Sequence, residues 1–174
     1  LVDACKGCYA TTGMYNMPNV KAPRISNKED WKRKDWVDDM VEAILNDELF
    51  RWFDSGDCYD LRLAKKIKQV IKRTPTTKHW LPTRQHKFPK FTKVLNEIAE
   101  LPNAVVRLSS DSINGEIIEG NTTSTIWSTE PPKEAFECGA YTRNGECKDC
   151  RACWDKLVKV VAYPGHGAKM LKVI

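Results

Sequence analysis

Short apolar strands alternate with amphipathic helices along the middle of the chain, and this alternation constrains the fold more than any other feature. Segments 49–53, 78–82 and 104–109 are short, apolar and rich in β-branched or aromatic residues, as strands are. Between them, one run with Leu63, Ile67 and Val70 on a single face ends before Pro75, and a second run covers 88–101. Helices of this length between strands produce parallel βαβ units. The pattern therefore predicts an α/β fold.

Further elements extend this pattern at both ends. Ser26 with Glu29 three positions later resembles a capping box and predicts one helix over 26–48. Strands are predicted over 123–128 and 157–163. The 174 residues are interpreted as one domain, with a βα scaffold over 1–127, a cysteine-rich loop over 128–156, and a final strand and tail over 157–174. We expect a partial parallel βα barrel or an open α/β sheet that carries a cysteine-rich loop near its C-terminus.

Polar clusters follow the predicted strands at their carboxyl ends. The candidate cofactor-binding residues are Asp54, Gly56, Asp57, Arg84, His86, Ser109, Ser110 and His166. In parallel α/β folds these ends share one edge, where binding sites form. Arg84 could pair with a carboxylate or phosphate, and either histidine could move protons near neutral pH. Each cluster alone is also typical of an ordinary turn or helix cap.

Four of the seven cysteines lie in "CGAYTRNGECKDCRACW" (138–154). Cys147, Cys150 and Cys153 form a Cys-x-x-Cys-x-x-Cys run, and Cys138 is the nearest fourth thiol. This spacing favours a 4Fe–4S cluster with four thiolate ligands. Structural zinc is an alternative, because two Cys-x-x-Cys pairs also occur in zinc sites. A disulfide framework is less favoured, because the cysteine count is odd and no secretion signal is visible.

Composition limits the remaining function classes. Apolar runs are too short to cross a bilayer, so no membrane association is expected. The net charge is +5, and the basic residues are scattered, so nucleic-acid binding is not favoured. Iron–sulfur ligation requires a reducing compartment, which places the chain in a cytoplasm. Oligomeric state and redox partner are left open.

Two motifs resemble parts of radical S-adenosylmethionine (SAM) enzymes. "CKGCYA" is similar to the end of their cysteine signature, and "FRWFDSGD" is similar to the strand that holds the amino group of SAM. More closely, the chain resembles a family of small bacteriophage-encoded iron–sulfur proteins related to that fold. The likeness rests on the order of "CYA", "FRWFDSGD", "HWLPTR", "VVRLSSDS", the cysteine run and "VAYPGHG" over nearly the full length. It implies a cluster, and a host cytoplasm as the location.

The sequence departs from the radical SAM pattern in ways that affect the expected function. Leu1 stands where the signature has its first cysteine, and four thiolates at the second cysteine set would leave no open iron for SAM. We therefore expect an iron–sulfur protein in electron transfer, redox sensing or a structural role. Two alternatives remain: an enzyme that binds SAM, another cofactor or a substrate at the strand ends, and a zinc-stabilised module for nucleic-acid or protein interaction.

Overall fold

The computed structural model describes residues 2–174; Leu1, the position of the missing signature cysteine, lies outside the described residues. The helices are α1 (Asp3–Lys6), α2 (Pro18–Asp30), α3 (Trp36–Ile44), α4 (Leu61–Arg73) and α5 (Pro89–Ala99). The strands are β1 (Leu49–Arg51), β2 (Lys78–Thr83), β3 (Ala104–Ser109), β4 (Thr123–Trp127), β5 (Phe136–Glu137) and β6 (Val160–Pro164). Short 3-10 turns connect several of them.

All the described strands form one parallel sheet in the order β1-β2-β3-β4-β6-β5. The sheet is curled and open, a half-barrel flanked by helices, so the predicted α/β class with a partial barrel is confirmed. The register of β2 on β3 pairs His79 with Ala104 and Thr83 with Leu108. Parallel pairing brings the carboxyl ends of the strands to one edge.

Helices α3, α4 and α5 cover one face of the sheet. Asp60 begins α4 as its N-cap, accepting a hydrogen bond from the backbone N–H of Arg62 at 2.7 Å. Leu63, Ile67 and Val70 then lie on the buried side of the helix and pack against the sheet. Basic residues occupy the solvent side, which explains the scattered positive charge of this segment.

The opposite face of the sheet carries the cysteine segment, defined as residues 138–154. Side chains alternate along a strand, so Trp80 and Arg107 point away from the helices. Trp80 packs with Cys153 and Val161, and Arg107 hydrogen-bonds the backbone of the same segment. The cysteine-rich part is therefore built onto the inner face of the half-barrel.

The prediction of one helix over 26–48 is wrong. Helix α2 begins at Pro18, so Ser26 lies inside it and caps nothing, and the chain turns before α3 begins at Trp36. Arg33 at this turn donates to the carboxylates of Asp30, Asp35 and Asp39 at 2.6–2.7 Å. These acceptors come from both sides of the break, and together they hold the turn.

Two further features of the C-terminal half were not predicted from the sequence. Strand β5 was not expected, and it pairs with β6 at the edge of the sheet. The connection from β3 to β4 is irregular rather than helical, which leaves that part of the sheet without a crossover helix. Among the helices of residues 2–174, none is long and apolar enough to cross a bilayer.

Acidification is expected to destabilise the fold through His79. This side chain is 1 % exposed, and burial lowers its pKa from 6.5 to about 4. The folded state thus favours neutral imidazole, and stability falls as the pH drops below 6.5 toward 4. The loss should reach about 2 kcal/mol at pH 5. Urea unfolding of wild type and His79→Gln at pH 7.5 and pH 5.0 measures this term.

The difference between the two proteins removes the contribution of every other titrating group. His86→Gln serves as the control, because His86 is only half-buried and its removal should change the pH dependence less. An equal pH dependence in wild type and His79→Gln would show that His79 is not the cause.

Candidate functional site

A cleft of about 380 Å³ opens at the carboxyl edge of the sheet. We call it the strand-end cleft. The predicted binding residues that line it are Asp54, Gly56, Asp57, Arg84, Ser109, Ser110 and His166. His86 does not reach this cleft and instead lines a second one beside α5. The strand ends thus bring seven of the eight predicted residues together, while their role as ligands stays a prediction.

Asp57 is occupied by contacts within the fold. Its Oδ1 accepts from the hydroxyl of Thr83 at 2.7 Å and from the backbone N–H of Cys58 at 2.6 Å. Its Oδ2 accepts from the backbone N–H of Arg84 at 2.7 Å. The carboxylate therefore ties the loop after β1 to the end of β2, and it positions the cleft rather than offering a free ligand.

Arg84 is also paired inside the protein. Its Nη2 donates to the carbonyl oxygen of Ser110 at 2.9 Å, and its Nε lies 3.3 Å from Oδ1 of Asp111. Asp111 also pairs with Lys87, so Arg84 and Lys87 share this carboxylate. The carboxylate or phosphate partner predicted from the sequence would have to compete with this ion pair.

The N-terminal segment supplies cleft residues that the sequence did not indicate. Tyr9 donates to the carbonyl oxygen of Asp54 at 2.7 Å, and Tyr15 donates to Oδ2 of Asp54 at the same distance. Cys5 and Cys8 line the cleft beside Tyr9. The residues in these two hydrogen bonds are about forty positions apart in the chain, so no local sequence pattern predicts them.

An aromatic group joins the cleft to the cysteine segment. Tyr141, between Cys138 and Cys147, hydrogen-bonds Nε2 of His166, and the ring of His166 lies 6.4 Å from that of Tyr9 in a stacked orientation. Burial lowers the pKa of His166 and raises the pKa of Tyr141 to about 12. Both groups are therefore neutral at pH 7, and they form one wall of the cleft.

Three of the four predicted ligand cysteines share a region behind that wall, whereas Cys147 is exposed. Cys138, Cys150 and Cys153 pack in one cluster with Trp80 and other apolar side chains. Burial raises the pKa of Cys153 to about 11, and it also raises that of Cys138. All seven cysteines are free. Among residues 2–174, no three Cys, His, Asp or Glu side chains converge closely enough to hold a metal ion, so the ligand set stays a prediction.

Arg107 anchors the cysteine segment from the sheet. Its guanidinium is fully buried and donates to the carbonyl oxygens of Ala152, Cys153 and Asp155 at 2.6–3.0 Å. Among the residues that the structure describes, no carboxylate side chain lies within 4 Å of this cation. A buried cation is costly unless an opposite charge compensates it.

Two more features of this region concern donors beside the cysteines. Trp80 carries a buried indole N–H that has no acceptor among the described residues. Tyr163 shares a hydrogen bond of 3.2 Å with the sulfur of Cys153, and it also lines the strand-end cleft. Trp80 and Tyr163 thus line the cleft and also pack with Cys138, Cys150 and Cys153 of the cysteine segment.

These features define an α/β half-barrel protein with a cleft at its strand ends and a cysteine segment on its inner face. The chain belongs to the gene product 88 family, whose model matches residues 3–156. That name is of the kind given to bacteriophage gene products, in agreement with the phage proteins that the sequence resembles. No curated protein and no solved structure matches the chain significantly.

Proposed function

We propose that the chain is an iron–sulfur protein that binds one 4Fe–4S cluster through Cys138, Cys147, Cys150 and Cys153. A cluster with four thiolate ligands is anionic, and its sulfurs accept hydrogen bonds from nearby donors. Beside the cysteine segment lie a buried cation without a carboxylate partner, Arg107, and a buried N–H without an acceptor, that of Trp80, among the described residues. The proposal is compatible with electron transfer, redox sensing or a structural role.

The observation that carries the proposal is the buried guanidinium of Arg107 beside Cys153. It satisfies its hydrogen bonds with carbonyl oxygens, but its charge has no carboxylate to balance it among the described residues. An anionic cluster would supply that charge, and the buried N–H of Trp80 supplies a further donor in the same region. Zinc with four thiolates would also be anionic, so metal analysis must separate the two.

The cysteines would have to move closer together when the metal binds. Asn144, Gly145 and Lys148 have positive φ, so the segment already makes sharp turns between its cysteines. Sites of this kind commonly form together with their metal, because the unligated thiols gain nothing by converging. Free thiols and a cluster both require a reducing compartment, and we place the protein in the cytoplasm of a phage host.

The test is anaerobic purification followed by iron, acid-labile sulfide and zinc analysis, with an EPR spectrum of the dithionite-reduced protein. About four irons and four sulfides per chain, with a reduced-cluster signal, are expected. One zinc without sulfide would overturn the iron–sulfur proposal and leave a structural zinc site.

The strand-end cleft favours a second candidate function, the binding of a small cofactor or substrate. It brings together seven of the eight predicted binding residues, and Cys5 and Cys8 also line it. SAM is one such ligand by resemblance to the radical SAM enzymes. A changed EPR signal when SAM is added to the reduced protein would support an open iron and an enzymatic role, whereas an unchanged signal would argue against both.

A further inference from the structure

We propose that the strand-end cleft binds a small oxyanion, a carboxylate or a phosphate attached to an aromatic body, and that Arg51 is its anchor. The inference rests on the proposed ligand-binding role of the cleft and does not depend on a cluster. Arg51 was not among the binding residues predicted from the sequence.

Of the two arginines that line the cleft, Arg51 is the one without an ion-pair partner among the described residues. Four lining side chains are ordinarily charged at pH 7: Arg51, Asp54, Asp57 and Arg84. Arg84 pairs with Asp111, and the Asp57 carboxylate accepts three internal hydrogen bonds. Arg51 has no carboxylate within 4 Å in the part of the chain that the structure describes.

The guanidinium of Arg51 is held in place by an aromatic ring, but most of its N–H groups have no hydrogen-bond acceptor among the described residues. Its central carbon lies 4.7 Å from the ring centroid of Trp80, in cation–π geometry. Its one hydrogen bond in the described residues is a long contact of 3.5 Å from Nη2 to the carbonyl oxygen of Asp54. Most of its donors therefore remain available, on a group whose plane is already positioned. Such a fork matches the two oxygens of a carboxylate or phosphate.

The surroundings of Arg51 favour an aromatic body on the ligand. Trp80, Tyr141, Tyr163 and Tyr9 line the cleft, and apolar surface prevails over polar surface there. Ser109 at the end of β3 and Ser124 near the start of β4 also line the cleft, and their hydroxyls share one hydrogen bond of 3.3 Å. Aromatic walls with few polar groups are typical of pockets for small organic ligands. The carboxylate of Asp54 already accepts a hydrogen bond from the hydroxyl of Tyr15, which belongs to the N-terminal segment.

The experiment titrates the purified full chain with phenyl phosphate and, separately, with benzoate. Tryptophan fluorescence is the readout, because Trp80 lies directly beneath Arg51. Sodium chloride at matched ionic strength corrects for general salt effects. At least one probe is expected to saturate, and Arg51→Gln should weaken its binding by at least about tenfold, because charge-assisted hydrogen bonds are lost.

Arg62→Gln is the matched control. Arg62 also stacks on a tryptophan, with its guanidinium 5.4 Å from the ring centroid of Trp31, but it is paired with Asp60 and lies outside the cleft. Its substitution should leave the affinity unchanged. Saturation by phenyl phosphate alone or benzoate alone supports the site and selects its chemistry.

The proposal is overturned if neither probe saturates, or if Arg51→Gln binds as wild type does. Iron and sulfide are measured on the same samples. Arg51-dependent binding by a protein without iron would support the cleft site and refute the cluster. A protein with about four irons that binds neither probe would support the cluster and refute the cleft site.

Discussion

Replacement of Cys150 by serine is expected to leave the purified protein colourless, with iron falling from about four atoms per chain to fewer than about one. Serine retains the size of the side chain but removes a thiolate ligand. Cys150 packs beside Cys138 and Cys153, so loss of the cluster should also loosen this segment. Iron and sulfide analysis measures the first effect, and hydrogen exchange over residues 138–154 measures the second.

Cys58→Ala is the control for this experiment. Cys58 is fully buried in the main core, where its sulfur lies 3.7 Å from the carbonyl oxygen of Asp60. Burial raises the pKa of Cys58 to about 12, and this thiol packs in the main core, in a different cluster from Cys138, Cys150 and Cys153. Its variant should retain full iron content. Full iron content in single serine variants of Cys147, Cys150 and Cys153 would rule the ligand assignment out.

Replacement of Arg107 by methionine is expected to lower the free energy of unfolding by about 2 to 4 kcal/mol. The variant removes hydrogen bonds to the carbonyl oxygens of Ala152, Cys153 and Asp155, and it leaves these acceptors buried. Relief from burying the cation offsets part of this loss. Urea unfolding measures the change, and iron content should fall even where the variant folds, because the cysteine segment loses its anchor.

Two further variants test the role of Arg107. Arg107→Lys retains the charge but reaches fewer carbonyl oxygens, so it should fall between wild type and methionine. Arg73→Met removes a surface ion pair with Asp38 and should change stability little. Methionine at position 107 with wild-type stability and iron content would show that neither the charge nor the carbonyl contacts matter.

Most strands of the half-barrel and helices α4 and α5 could be predicted because their sequence signals are local. Segment 104–109 is buried on both faces of the sheet over most of its length, so its apolar composition predicts β3 with the bounds that the structure has. The break after α2 could not be predicted in this way. It depends on Arg33 meeting Asp35 and Asp39 across the turn, and a run of charged residues alone is equally typical of a helix surface.

The candidate site was predicted in position but not in detail. Topology alone brings the strand ends together, which is why seven of the eight predicted binding residues line the cleft. The sequence could not show whether Asp57 accepts hydrogen bonds from the backbone or binds a ligand. An acidic residue directly after a strand is typical of both roles. Arg51 was missed because the position of its guanidinium depends on Trp80. Trp80 is its neighbour on the adjacent strand and lies far from it in the sequence.

Tyr141 and Tyr163 lie both at the strand-end cleft and beside the predicted ligand cysteines. Each lines the strand-end cleft, while Tyr163 hydrogen-bonds Cys153 and Tyr141 lies between two of the predicted ligands. A group that fills the cysteine segment and a ligand that fills the cleft would therefore contact the same two phenols from opposite sides. Coupling between two occupants is reciprocal in free energy. Whatever factor the metal imposes on affinity for the cleft ligand, that ligand must impose on affinity for the metal.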